Sequence, residues 1–229
     1  MPEFHVIELR IGQPRPFGPR GEPSAIDRRQ VTGPRRAGQT GLDGDAVGDP
    51  AHHGGPDKAI HAYPAAHYAQ WAADLPDRAD RFHPGAFGEN LVVAGATEAD
   101  ICLGDRWRLG GALLEVSQSR QPCWKLNVRF DLPDMARRVQ DTGRTGWYFR
   151  VIEPGMIEAG TRTHLVSRPH CRWPLTRVAQ MLYGTSVEQT ILYEFATLSG
   201  LPERWRSLAL ARLRSGRIED WRPRLEPPG

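Results

Sequence analysis

Cys123 stands in the run Ser117-Gln118-Ser119-Arg120-Gln121-Pro122-Cys123-Trp124-Lys125-Leu126-Asn127, a thiol between two cations. Arg120 and Lys125 both favour a thiolate, and Pro122 suits a position just before a helix. A soft anionic sulfur of this kind can serve as a nucleophile or as a metal ligand. The plain alternative is a buried structural cysteine, where free thiols usually sit. A second segment, His53-Gly54-Gly55-Pro56-Asp57-Lys58, sets a cation beside a flexible backbone, which suits an anion such as a phosphate. The 30 basic residues include only two lysines, Lys58 and Lys125, and each lies in one of these segments. Ser117 and Ser119 add donors, and Arg28, Arg29 and Arg144 are further candidate cations. In so arginine-rich a chain, each single arginine has a solvated surface position as its plain alternative.

Four histidines, His52, His53, His61 and His67, lie within sixteen residues and invite a zinc reading. They lack an i, i+4 pair on one helix and no cysteine pair accompanies them, so zinc is disfavoured. His53 is expected to shape the Gly54-Gly55 turn. Asp57, Glu89 and Asn90 are polar among apolar neighbours, and turn-capping explains Asp57.

The 229 residues carry a net charge of +3 and 39% hydrophobic side chains, the balance of an ordinary globular protein. No apolar run approaches the ~18 residues that span a bilayer. The first residues show no basic stretch followed by an apolar one, so no secretory signal is expected. Three cysteines with no paired spacing point to a reducing compartment, and a cytoplasmic location is expected. Nucleic-acid binding is disfavoured because 27 acidic residues are interspersed with the arginines and no recognition motif appears.

Strands are expected over residues 4–11, 87–93, 101–109, 112–116, 147–152 and 161–166, with a short one near Gln30-Val31. Helices are expected over residues 63–75, with Pro64 in the first turn, and 131–141, with Asp131 as N-cap. The stretch from Pro14 to Pro23 reads as a variable loop. Many short strands separated by glycine and proline indicate a β-barrel or twisted sandwich. Beyond His170 come three helical stretches, 174–183, 187–199 and 203–214, with Ser186 and Gln189 fitting a capping box and residues 223–229 reading as a tail.

His53-Gly54-Gly55-Pro56-Asp57-Lys58-Ala59, Phe87-Gly88-Glu89-Asn90-Leu91, Gly104-Asp105 and the Cys123 run together resemble the MOSC (molybdenum cofactor sulfurase C-terminal) domain family. Thr142-Gly143-Arg144-Thr145-Gly146-Trp147-Tyr148-Phe149-Arg150-Val151 is similar to its bacterial YiiM-type branch. The resemblance implies a mainly β fold with α: a MOSC-type β-barrel over residues 1–170, then a small three-helix domain and tail over 171–229. It implies a molybdenum cofactor, a pterin dithiolene carrying molybdenum, with Cys123 as the metal ligand and catalytic centre. His53, Lys58, Asn90, Ser117, Ser119, Arg120, Lys125, Arg28, Arg29 and Arg144 are the candidate cofactor contacts.

The activity implied is reduction of N-hydroxylated compounds, hydroxylamines and base analogues such as 6-hydroxylaminopurine among them. Electrons would come from a separate flavoprotein or cytochrome, since the chain has no flavin, haem or iron–sulfur motif of its own. Two other classes stay open: a non-redox protein that carries the cofactor, and a metal-free thiol enzyme using Cys123. The seven arginines between residues 202 and 224 are either a solvated face or a docking surface for an acidic electron donor.

Overall fold

Eight consecutive residues, Ala112–Ser119, are buried, and a strand hidden on both faces needs a layer on each side. A computed structural model describes residues 3–227. The chain opens with β1 (His5–Ile11), a hairpin of β2 (Arg15–Phe17) and β3 (Glu22–Ser24), then β4 (Arg29–Val31), β5 (Arg35–Gly38) and β6 (Gly41–Leu42). A helical turn, α1 (Pro50–His53), precedes β7 (Ile60–Pro64), α2 (Ala66–Asp74) and β8 (Leu91–Ala94). β9 (Arg106–Leu109) and β10 (Ala112–Ser119) follow, and α3 (Lys125–Phe130) and α4 (Met135–Thr142) come next. The sheet is completed by β11 (Trp147–Glu153), β12 (Gly155–Ile157) and β13 (Thr163–Ser167). The rest is helical: α5 (Leu175–Tyr183), α6 (Gln189–Ala196), α7 (Glu203–Ser215) and α8 (Arg222–Leu225).

Eight strands form one curled sheet in the order β13-β9-β10-β11-β7-β8-β1-β4, in which only β7 and β8 run parallel. It curls until β13 meets the start of β1: Thr163 N donates to Phe4 O at 3.0 Å and Gly160 N to Val6 O at 2.7 Å. Phe4 lies at that seam against Trp107, with ring centroids 4.8 Å apart, in the apolar interior of the half-barrel. The same apolar cluster continues into Trp173, Phe195, Trp205 and Ala209 of the helical region. A second cluster packs Tyr63 on Phe87 at 4.2 Å and holds Phe130, Met135, Val139 and Leu225. No helix among the described residues is long and apolar enough to cross a membrane.

Several sequence expectations need correction. Tyr63 and Pro64 end β7, so the helix expected from Tyr63 begins at Ala66. Asp131 caps the end of α3 in the left-handed conformation, φ 50°, and α4 starts only at Met135. Phe87–Asn90 is a turn, because the buried Glu89 carboxylate gathers Phe87 N at 3.1 Å and Tyr68 Oη at 2.5 Å. Of residues 101–109, only Arg106–Leu109 forms a regular strand. The Pro14–Pro23 stretch contains most of the β2–β3 hairpin, whose register pairs Pro16 with Pro23 where neither needs to donate. Ser186 does not cap α6, which begins at Gln189 behind Glu188 with no side-chain cap. The expected tail folds as α8, which buries Leu225; residues 228–229 lie outside the described ones.

Trp205 is 1% exposed in the core shared by sheet and helices. Trp205→Ala is expected to lower unfolding free energy by about 3–5 kcal/mol in urea titrations. A change below about 1 kcal/mol would show that α7 does not share the core.

Candidate functional site

Cys123 sits in the crossing from β10 to α3, and backbone groups of that crossing are met by distant parts of the chain. Arg120 N donates to Gly146 O at 3.0 Å. Gly146 adopts φ 68°, and a Cβ there would lie 2.3 Å from Ala62 O, so only glycine brings this carbonyl so close to β7. On the other side Arg224 Nη1 donates to Pro122 O at 2.8 Å, and Trp124 N donates to Arg224 O at 2.8 Å. Asn127 Nδ2 adds a bond to Leu225 O at 2.9 Å. The residues flanking the cysteine are thus gripped by α8, near the far end of the chain.

Cys123 lines an inner cavity with His53, Lys58, Arg120, Lys125, Tyr148 and Arg28. The cavity opens into a cleft of about 700 Å³ that adds Trp124, Gln121, Arg20, Arg204 and Arg224. Arg120 is 6% exposed, has no ion pair among the described residues, and its Nη1 has no hydrogen-bond partner there. Lys125 is also buried and, among the described residues, hydrogen-bonds only the Pro23 carbonyl, at 3.1 Å. Two buried cations, neither in an ion pair among the described residues, make this end of the cavity positive although Asp49 also lines it, a state that costs free energy unless an anion joins them.

The neutral groups fit that field. Burial first, then Lys125, Lys58 and Arg120, push the His53 imidazole down to about 4. Burial, then Arg120 and Arg28, take His61 down to about 3, and His61 lies 4.9 Å from the Tyr148 ring. Burial raises the Tyr148 phenol, opposed by Arg120 and Arg28. Burial, and then Arg204, lower the Lys58 ammonium, which donates to the His52 carbonyl.

Of the sequence-derived residues, the fold brings Cys123, His53, Lys58, Asn90, Arg120, Lys125 and Arg28 to one cavity. Two of these are largely engaged by the protein itself. Arg28 makes a two-pronged contact with Asp45 at 2.9 and 2.8 Å and bonds Gly88 O. The Asn90 side chain binds Asp45, the Arg10 carbonyl and His61 N, which ties β1, β7 and β8 together.

Four others do not reach the cavity lining. Ser117 Oγ donates to Asp57 O at 2.6 Å, which fixes the turn carrying Lys58, and Ser119 Oγ is buried without a partner among the described residues. Arg29 points to solvent from β4, and Arg144 covers the Trp71 ring at 3.6 Å and pairs with Asp74.

Sequence reasoning missed Tyr148, Trp124, Asp45, Arg204 and Arg224. Tyr148 and Trp124 stood inside the motif blocks, whereas nothing local marks the two C-terminal arginines. The arginine-rich helices are also not one solvated face. Arg212 is buried, bonded to Glu219 and to the Met181 and Leu182 carbonyls at the end of α5, and Arg206 caps α6 through Ala196 O and Leu198 O.

The MOSC domain family model matches residues 49–164, which span α1, Lys58 and the whole Cys123 crossing. The chain belongs to the MOSC domain family. It is 40% identical to the protein YiiM of Escherichia coli (strain K12), over 96% of this chain and 98% of that one. A protein named "Reductase" from Gibberella moniliformis (strain M3125 / FGSC 7600) is 36% identical over 92% of this chain, which spans only 37% of that relative. The crystal structure of YiiM from Escherichia coli superposes with a TM-score of 0.80 at 34% identity, covering 94% of this chain and all of the other.

Two outcomes follow for this MOSC protein. His53 and His61 both start from 6.5 and are lowered on folding, so between about pH 4 and 6.5 the unfolded chain binds more protons. Stability of the cofactor-free protein is therefore expected to fall as pH drops through that window. The loss should be smaller in His61→Gln, and a melting temperature flat from pH 7 to 4.5 would refute it. Because Arg120 carries an unpaired buried charge, Arg120→Met should leave the melting temperature unchanged or raised. The same variant should abolish any thermal stabilisation of the wild type by added phosphate or molybdate.

Proposed function

We propose that this protein is a molybdenum cofactor-dependent reductase of N-hydroxylated compounds, with Cys123 as the metal's protein ligand. One observation carries the reading: the Cys123 sulfur lines the same cavity as the buried Arg120 guanidinium, which has no ion pair and whose Nη1 has no hydrogen-bond partner among the described residues. A molybdenum–dithiolene pterin phosphate presents a metal that accepts a soft sulfur together with oxygens that need cations, so this donor set fits it. The relative named "Reductase" and the family's own name agree with that fit.

In this reading Cys123 fixes the metal, while Arg120 and Lys125 neutralise the cofactor's negative charge beside it. Lys58 borders the cavity where it opens into the cleft. Arg28 and Asn90, held by Asp45, form the wall behind. His53 is neutral at pH 7, so it can donate one hydrogen bond without adding charge. Bound there, the cofactor supplies the two-electron couple that N–O cleavage requires: R–NHOH, two electrons and two protons give R–NH2 and water. A separate protein or a diffusible reductant, reaching the site through the open cleft, delivers the electrons.

Cys123→Ala removes the sulfur without altering the backbone bonds of Pro122 and Trp124 that hold the crossing. Purified from a host that makes the cofactor, it is expected to lose the sulfur-to-metal absorption and all hydroxylamine turnover, with an unshifted melting temperature. Turnover retained in the variant would sink the assignment. A wild type that holds molybdenum and pterin but reduces no N-hydroxylated compound is a cofactor carrier.

A further inference from the structure

Arg204 sits in the first turn of α7, exposed, and among the described residues its side chain has no hydrogen bond or ion pair. Its position is fixed by its neighbour, because Trp205 is 1% exposed in the core. From there Arg204 lines the outer cleft together with Lys58, which also borders the inner cavity. The two stand close enough that, after burial, Arg204 is the strongest influence depressing the Lys58 ammonium. The two carboxylates that act on Lys58 pair with other groups, Asp49 with His52 Nδ1 at 2.9 Å and Asp57 with Arg150 at 2.6 Å, and Glu22 on the cleft wall holds Arg20 Nε at 2.9 Å through Oε1. Two cations on different elements, neither of them in an ion pair with a carboxylate among the described residues, form a natural seat for a multiply charged oxyanion.

The same cleft is lined by Trp124 as well as by Tyr148. The Trp124 indole lies against Gly18, where φ is 78° and a Cβ would come 3.3 Å from the ring, so the β2–β3 hairpin braces it. Aromatic platforms of this kind stack heterocyclic bases without regard to their edges. The cleft of about 700 Å³ has room for a base and a pendant phosphate.

We infer that Lys58 and Arg204 form a subsite for a phosphate monoester, and that the substrate is a phosphorylated N-hydroxylated nucleoside and not the free base. The inference takes the reaction from the proposed reductase activity, but the phosphate subsite is tested by binding alone. A phosphate at this spot has two sources, the substrate or the pterin itself, and the pair is assigned to the substrate because Arg204 lines the outer cleft and not the inner cavity. Cys123, Arg120 and Lys125 keep the cofactor's charge at the inner end.

Calorimetric titration of the wild type with adenosine 5′-monophosphate and with adenosine should show at least about tenfold tighter binding of the phosphate, the size of one charge-assisted contact. Arg204→Glu should abolish that difference, and Arg204→Gln should reduce it. Equal affinity for the two probes in the wild type overturns the inference. Molybdenum and pterin content of Arg204→Glu distinguishes the sources: unchanged content supports the substrate, and a loss of pterin assigns the pair to the cofactor and overturns it. Turnover of N-hydroxyadenosine and its 5′-monophosphate completes the test, with the phosphate expected to have the higher kcat/KM. If neither is reduced while the binding preference holds, the subsite stands and the reductase reading falls.

Discussion

The Arg120–Trp124 crossing must leave a fully buried strand and enter a helix while holding a thiol at a cavity, and much of the architecture meets that demand. Polar backbone groups in such a place need partners, since unpaired ones cost free energy comparable to a lost hydrogen bond. Gly146 supplies an acceptor on one side and Arg224 a donor and an acceptor on the other. Gly146 is itself held by Glu98, which accepts from its N at 2.6 Å and pairs with His67 at 2.7 Å. A chain of buried polar contacts therefore runs from α2 through β11 to the cysteine, with α8 closing it from the opposite side.

That clamp explains why the helical region is part of the site as well as of the core. Arg212 and Arg206 serve as capping groups on the carbonyl ends of α5 and α6, the favourable place for a cation on a helix. They fix α5, α6 and α7 relative to one another, and Trp173, Phe195 and Trp205 fix that group to the sheet. Arg224 and Arg204 then arrive at the cleft from two different elements. Arginine usage that looked uniform along the sequence separates into caps, clamps and cavity walls.

The electrostatics follow a similar division of labour. Asp45 absorbs the charge of Arg28 and orients Asn90, so that part of the wall is neutral and rigid. Arg120 and Lys125 have no such partner among the described residues, which concentrates positive potential at the inner end beside Cys123. Desolvated histidines that stay neutral at pH 7 avoid adding to that charge. The field is focused by low-dielectric walls, which strengthens its hold on any anion that enters.

Local chemistry and short-range pattern made part of this legible. The thiol between cations, the glycine turn before Lys58 and the alternation in residues 147–152 are each contained in a dozen residues, so the sequence alone pointed to a barrel or twisted sandwich of short strands and singled out Cys123, Lys58, Arg120 and Lys125, which the fold brings to one cavity. Where two local signals competed, it misled: Pro64 and Asp131 both suit helix starts, yet one ends a strand paired to β8 and the other closes α3. Only the tertiary structure decided that Ser117 and Ser119 are buried in strand pairing, that Asn90 is a tie among three strands, and that Arg204 and Arg224 belong to the site. The reason is physical: partners of a buried polar group are set by which elements pack together, and Pro122 and Arg224, 102 residues apart, share no local pattern that could announce their bond.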